Sequence, residues 1–204
     1  MISARRPTPA VTVVLGVMCV VALLSSYSFG RGEPSSGAQA DKGLASIHAF
    51  ASVASVLTSP RCLNCHIPGD SPLQGNQQTP HTMNVKRGSD GRGTPAMRCT
   101  NCHQEQNSRE AHGPPGAPGW RLPPPSMRLA WRGLSVADIC RAVKDPSRNG
   151  GKSLPQLIEH VRDDRFVNWA WNPGPHRSVP PLSHDDFVAS VTEWIQTGAA
   201  CPGD

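Results

Sequence analysis

Two short motifs constrain this chain more than any hydrophobic period does: Cys62-Leu-Asn-Cys65-His66 and Cys99-Thr-Asn-Cys102-His103, each a Cys-x-x-Cys-His. Cysteines three positions apart sit on one side of a helical turn. There each sulfur adds to one vinyl group of a haem, and the next residue turns its imidazole toward the iron. The spacing predicts two haem c, attached through Cys62 and Cys65 and through Cys99 and Cys102, with His66 and His103 as proximal iron ligands. Zinc is the competing reading, because two Cys-x-x-Cys pairs can furnish a tetrahedral thiolate site. Against it stand the wide gap from Cys65 to Cys99 and the histidine that follows both pairs. A thioredoxin-like redox pair would need a βαβ pattern around it, and none is visible.

The first cysteines of the motifs are 37 residues apart, too few for the chain between them to wrap one haem as a separate domain. Both haems are therefore expected in one fold, close enough to exchange electrons directly. Residues 68–95 are polar and rich in Gly and Pro, and residues 113–126 hold Pro114, Pro115, Pro118, Pro123, Pro124 and Pro125; both read as irregular chain. So much irregular length needs an object other than ordinary layers to pack on, and a haem is one. Helical signals lie elsewhere. Residues 41–58 carry Leu44, Ile47, Val53, Ala54 and Leu57 at helical spacing. Ser135, Ser153 and Ser183 each open a short apolar-periodic run with a capping-type start. The fold class expected is mainly α and loop-rich: a compact dihaem cytochrome c with short helices around two covalent haems, one domain over 41–204.

The N-terminus reads as a targeting segment. Arg5 and Arg6 precede fifteen uncharged residues from Ala10 to Leu24, the order of an export signal, and continuing to Phe29 gives twenty, enough for an uncleaved membrane anchor. Residues 1–40 are thus a signal peptide or an anchor. The expected location is the periplasm, either soluble after cleavage or tethered to the inner membrane by residues 10–29. Without those forty residues the chain keeps 17 Lys and Arg against 14 Asp and Glu, no electrostatic footprint for nucleic acid. Several arginines, Arg61 and Arg98 before the motifs among them, read either as partners of haem propionates or as solvated surface charge. Export also means an oxidising compartment, in which Cys140 and Cys201 can form a disulfide; two buried free thiols are the alternative.

Each iron needs a distal ligand or an open position. His81 and Met83 lie in the loop between the motifs, Met127 follows the proline-stiffened Leu122-Pro-Pro-Pro-Ser126, and His160 sits mid-helix beside Leu157 and Val161. These four are the candidates, with His81 preferred; their bland readings are a surface loop histidine, core filling, and a helix histidine held by a backbone partner. Gly151-Lys152-Ser153 ends like a phosphate loop, but Pro146 stands where the first glycine is required. Nucleotide binding is unsupported.

From about Pro60 to Pro202 the sequence resembles bacterial dihaem cytochrome subunits of isoquinoline 1-oxidoreductases. The stretches that carry the likeness are Pro60-Arg-Cys-Leu-Asn-Cys-His66, Asn84-Val-Lys-Arg-Gly88, Arg98-Cys-Thr-Asn-Cys-His103, Asp145-Pro-Ser-Arg-Asn-Gly-Gly151, Trp169-Ala-Trp-Asn-Pro-Gly174 and Gly198-Ala-Ala-Cys-Pro202. The resemblance implies a redox partner, a molybdenum hydroxylase that oxidises N-heterocycles or aldehydes, and a respiratory acceptor beyond. No catalytic acid, base or nucleophile constellation stands out. The expected function is periplasmic electron transfer as a subunit of an oxidoreductase. The alternative is a small dihaem redox enzyme, peroxidase-like or thiol-oxidising, with one open haem position.

Overall fold

The computed structural model describes residues 36–204, so the export or anchor segment expected at 10–29 lies outside the described residues. No helix among the described residues is long and apolar enough to cross a membrane.

Helix α1 (Ser36–Leu57) begins five residues ahead of the expected start, through a Ser-Gly-Ala-Gln-Ala stretch that holds no proline. Its buried stripe is Ser46, Ala49, Phe50, Val53, Ala54, Val56 and Leu57, the three-and-four spacing of a one-faced helix. Leu44, expected on that stripe, is exposed. The reason is the partner: α6 (His184–Gln196) ends at Ser46, whose hydroxyl donates to the Trp194 carbonyl at 2.9 Å and accepts from the Ala200 amide at 2.9 Å. Residues 37–45 of α1 are exposed or half-buried, and none of them is buried.

Pro60 ends the run of α1 and sits in the first turn of α2 (Pro60–Leu63), where its missing amide is no loss. This turn carries Cys62, and amides of Cys65 and His66 donate back to the Cys62 carbonyl at 3.2 and 3.1 Å. The stretch 68–95 is not the unbroken loop expected. It holds β1 (Leu73–Gln74) paired antiparallel with β2 (Thr79–Pro80), and its end, β3 (Gly93–Thr94), pairs with β4 (Met97–Arg98). Ladders of two residues are too short to print an alternation in sequence. At Gly93, φ is +91° and a Cβ would stand 2.3 Å from the Met97 carbonyl oxygen, so only glycine closes this hairpin. The hairpin hands the chain directly to the turn Cys99–Asn101 of the second motif.

The three capped starts are present. Helix α3 (Val136–Lys144) is capped by the Ser135 hydroxyl accepting from the Asp138 amide at 3.2 Å. In α4 (Leu154–Asp163) the Gln156 side chain accepts from the Ser153 amide at 2.9 Å, and in α6 the Ser183 hydroxyl accepts from the Asp186 amide at 3.1 Å. A one-turn α5 (Arg165–Asn168), capped by Asp164, follows α4. The core lies between α1, α3, α4 and α6, with Phe50 against Trp194 at 5.0 Å and Val53, Ile139, Leu157, Phe187 and Val191 around them. Each such side chain contributes about 1.5–3 kcal/mol by burial. Cys140 and Cys201 are bonded inside this core, their Cα atoms 5.6 Å apart. The fold is mainly α with short helices.

Candidate functional site

The two motif histidines are held in the same way by different chain. His66 places Nδ1 2.7 Å from the Leu129 carbonyl and stacks on Trp131, with ring centroids 3.7 Å apart and planes 8° from parallel. His103 places Nδ1 2.7 Å from the Pro115 carbonyl and stacks on Trp120 at 4.2 Å and 4°. A carbonyl only accepts, so Nδ1 carries the proton in both rings and the lone pair is on Nε2, which hydrogen-bonds to no described residue. This is the second-layer arrangement that orients a histidine ligand and fixes its tautomer. Burial pushes the His66 imidazole down to about 4, against the opposing pull of the Leu129 hydrogen bond, and burial also lowers His103. Both rings are neutral at pH 7 and able to donate to a metal.

The backing is itself fixed. Trp131 donates through Nε1 to the Leu57 carbonyl at 2.8 Å, which ties it to the end of α1. Trp120 meets Trp169 edge-on at 4.8 Å, and Trp169 donates to Asn107 Oδ1 at 2.9 Å. Both proline-rich approaches thus have a task that their composition did not announce: they bring a carbonyl and an indole behind each motif histidine.

All four motif cysteines are free, whereas Cys140 and Cys201 are joined. Burial pushes the thiols of Cys62 and Cys65 up to about 11 and about 12, so both stay protonated in a chain without cofactor. Among the described residues no three His, Cys, Asp or Glu side chains are grouped to hold a metal ion, so the four sulfurs do not converge on the tetrahedral set that the zinc reading requires. Instead Cys65 of the first motif and Cys99, Cys102 and His103 of the second line one cavity of about 650 Å³.

The chemistry of that cavity can be compared with a haem, a flat apolar ring with two carboxylates. Leu73, Val85, Pro115, Trp120 and Leu122 supply apolar wall, and the lining includes Arg61, Arg98, Arg121 and Arg177 but no Asp or Glu. Arg61 is only 6% exposed. Its Nη2 donates to Asn76 Oδ1 at 2.8 Å and the Gly75 carbonyl at 3.2 Å, while its buried Nε has no partner. Arg177 donates to the carbonyls of Gly113 and Pro173 at 2.6 and 3.2 Å. Neither meets a carboxylate among the described residues. Arg98 differs: both Asp90 oxygens lie 2.9 Å from its Nη1 at the surface. Two thiols, an imidazole lone pair, apolar walls and unneutralised guanidinium groups fit a haem.

The four distal candidates fall in different places. His81 stands across from His103, ring centroids 6.1 Å apart and planes at 67°, and its own Nδ1 donates to the Thr82 carbonyl at 2.9 Å. Met83, in the turn Thr82–Asn84 at φ +63°, is 68% exposed. Met127 ends the turn Pro125–Met127, two residues before the carbonyl that grips His66. His160 lies on α4 with Nδ1 3.3 Å from Asp164 Oδ2.

Residue-by-residue reading missed the carbonyls of Leu129 and Pro115, which no residue type marks, and Arg87. The Arg87 guanidinium, 1% exposed, donates to the carbonyls of Ile67, Gly69 and Pro123. It clamps the chain after the first motif to the proline run. No protein-family model matches this chain, and no curated protein or solved structure does either.

Proposed function

We propose that this chain relays electrons through two covalently bound c-type haems, accepting them from a partner dehydrogenase or hydroxylase and passing them to a respiratory acceptor. The single observation that carries the reading is the repeated support of His66 and His103: Nδ1 tied to a carbonyl, one face against an indole, Nε2 free. Chance packing of two histidines would not reproduce all three features beside both Cys-x-x-Cys pairs. Haem bound there supplies one-electron exchange between Fe(III) and Fe(II). The chain's own residues attach it through Cys62, Cys65, Cys99 and Cys102, orient the two imidazoles, offer Arg61 and Arg177 to carboxylates, and keep water from the ring with tryptophan and proline. The molybdenum hydroxylase as electron donor rests on sequence resemblance, and periplasmic location on the N-terminal pattern.

The test is to produce the chain in a periplasm with haem-maturation machinery, then measure intact mass and the pyridine haemochrome. Two covalent haems per chain and two low-spin irons are expected. A colourless polypeptide of bare mass with stoichiometric zinc would overturn the proposal. A high-spin iron that turns over peroxide would replace the relay by the enzyme reading.

A further inference from the structure

We infer that His81 is the second axial ligand of the haem attached at Cys99 and Cys102, so that this site is a bis-imidazole centre with no open position. The inference rests on the haem reading above and deepens it. A metal–imidazole bond is about 2 Å. Two rings facing one metal from opposite sides therefore hold their donor nitrogens about 4 Å apart, and their centroids, each about 1 Å further back, at about 6 Å. His81 and His103 stand at 6.1 Å. No bond requires their planes to be parallel, so the 67° between them is compatible with both rings binding one metal.

The tautomers agree as well. His81 donates from Nδ1 to the Thr82 carbonyl and His103 from Nδ1 to the Pro115 carbonyl, which leaves Nε2 as the available lone pair on each. Both rings line the same cavity as Cys99 and Cys102. Its other imidazoles, His112 and His176, stack on each other at 4.9 Å and 19°. Two methionines, Met83 and Met97, also line it, and Met83 is 68% exposed. The approach of His81 is built by the hairpin β1–β2: Pro80 pairs with Leu73, and the His81 amide donates to the Pro72 carbonyl at 2.9 Å. This short hairpin thus delivers a ligand. With two imidazoles and no thioether, the site has a lower potential than a His/Met haem.

The experiment compares matured wild type, His81→Ala, His81→Met and Met83→Leu by haem content, electron paramagnetic resonance, near-infrared charge-transfer spectra and redox titration. His81→Ala is expected to keep two covalent haems while one of its two irons becomes high-spin and binds cyanide, and added imidazole should restore the low-spin signal. His81→Met, which keeps a ligand, should gain one sulfur-to-iron charge-transfer band and show an upward shift of one potential. Met83→Leu should match wild type. Unchanged low-spin spectra in His81→Ala, or a high-spin iron in Met83→Leu, would sink the assignment while leaving two haems in place. A wild type without haem would instead remove the underlying reading, and the inference with it.

Discussion

Arg87 is a buried charged side chain outside the motifs. A guanidinium 1% exposed must be satisfied where it lies, and three carbonyls from two separate segments do most of that, with Asp70 3.4 Å from Nε. Arg87→Ala would leave those carbonyls without donors at about 1–3 kcal/mol each and uncouple the chain after His66 from Pro123. Arg87→Lys keeps the charge but has one nitrogen where two are needed, so it should recover only part of the loss. Denaturant titration of matured protein checks both, and equal stability of all three chains would contradict the clamp. A pH effect belongs to the same scale. The Ser135 hydroxyl bond, first among several influences, holds the Asp138 carboxyl below its ordinary value. A depressed folded value contributes stability that is present above the unfolded value and lost as pH falls. Asp138→Asn should therefore lower Tm at pH 7, and the gap to wild type should close below about pH 4.

Elements divide into those that announce themselves locally and those that do not. Helices α3, α4 and α6 were legible because Ser135, Ser153 and Ser183 cap them through contacts three residues away, and the apolar period follows at once. The hairpins were not, because two-residue ladders leave no period, and Leu44 was misplaced because α1 outruns its partner. The motifs gave the candidate site its cysteines and proximal histidines. Its support was hidden, since the Leu129 carbonyl reaches His66 across 63 residues of chain and a carbonyl has no sequence signature. The bond from Cys140 to Cys201 joins α3 to the end of α6 across a separation of 61 residues, and closing a loop of that length is worth roughly 2–4 kcal/mol. Replacing both by alanine should cost that much in a denaturant titration. Haem content should not change, because the bond joins α3 to the end of α6 and holds neither motif directly; a drop in haem content would show that the staple also shapes the site.

On the scale of the whole molecule, two kinds of packing share one chain. The helical part buries Phe50, Val53, Ile139, Leu157, Phe187, Val191 and Trp194 against one another and is stapled by its disulfide. From Pro60 to Ala130 the buried apolar side chains are Ile67, Pro72, Ala117 and Leu122, around a cavity of about 650 Å³. The motif-bearing part therefore lacks the core to hold its own shape, whereas the helical part has one. A chain with Cys62, Cys65, Cys99 and Cys102 all replaced by alanine should keep its far-ultraviolet helix signal and slow amide exchange in α1 and α6. Amides that depend on the site, such as His81 to Pro72, Gly93 to Arg87 and Leu122 to Gly91, should exchange at least a hundredfold faster than in matured protein, an opening free energy lower by about 2.7 kcal/mol. Equal protection at those amides with and without haem would mean that the loops fold without a central ligand, and that the cavity is scaffold, not a site built around a ring.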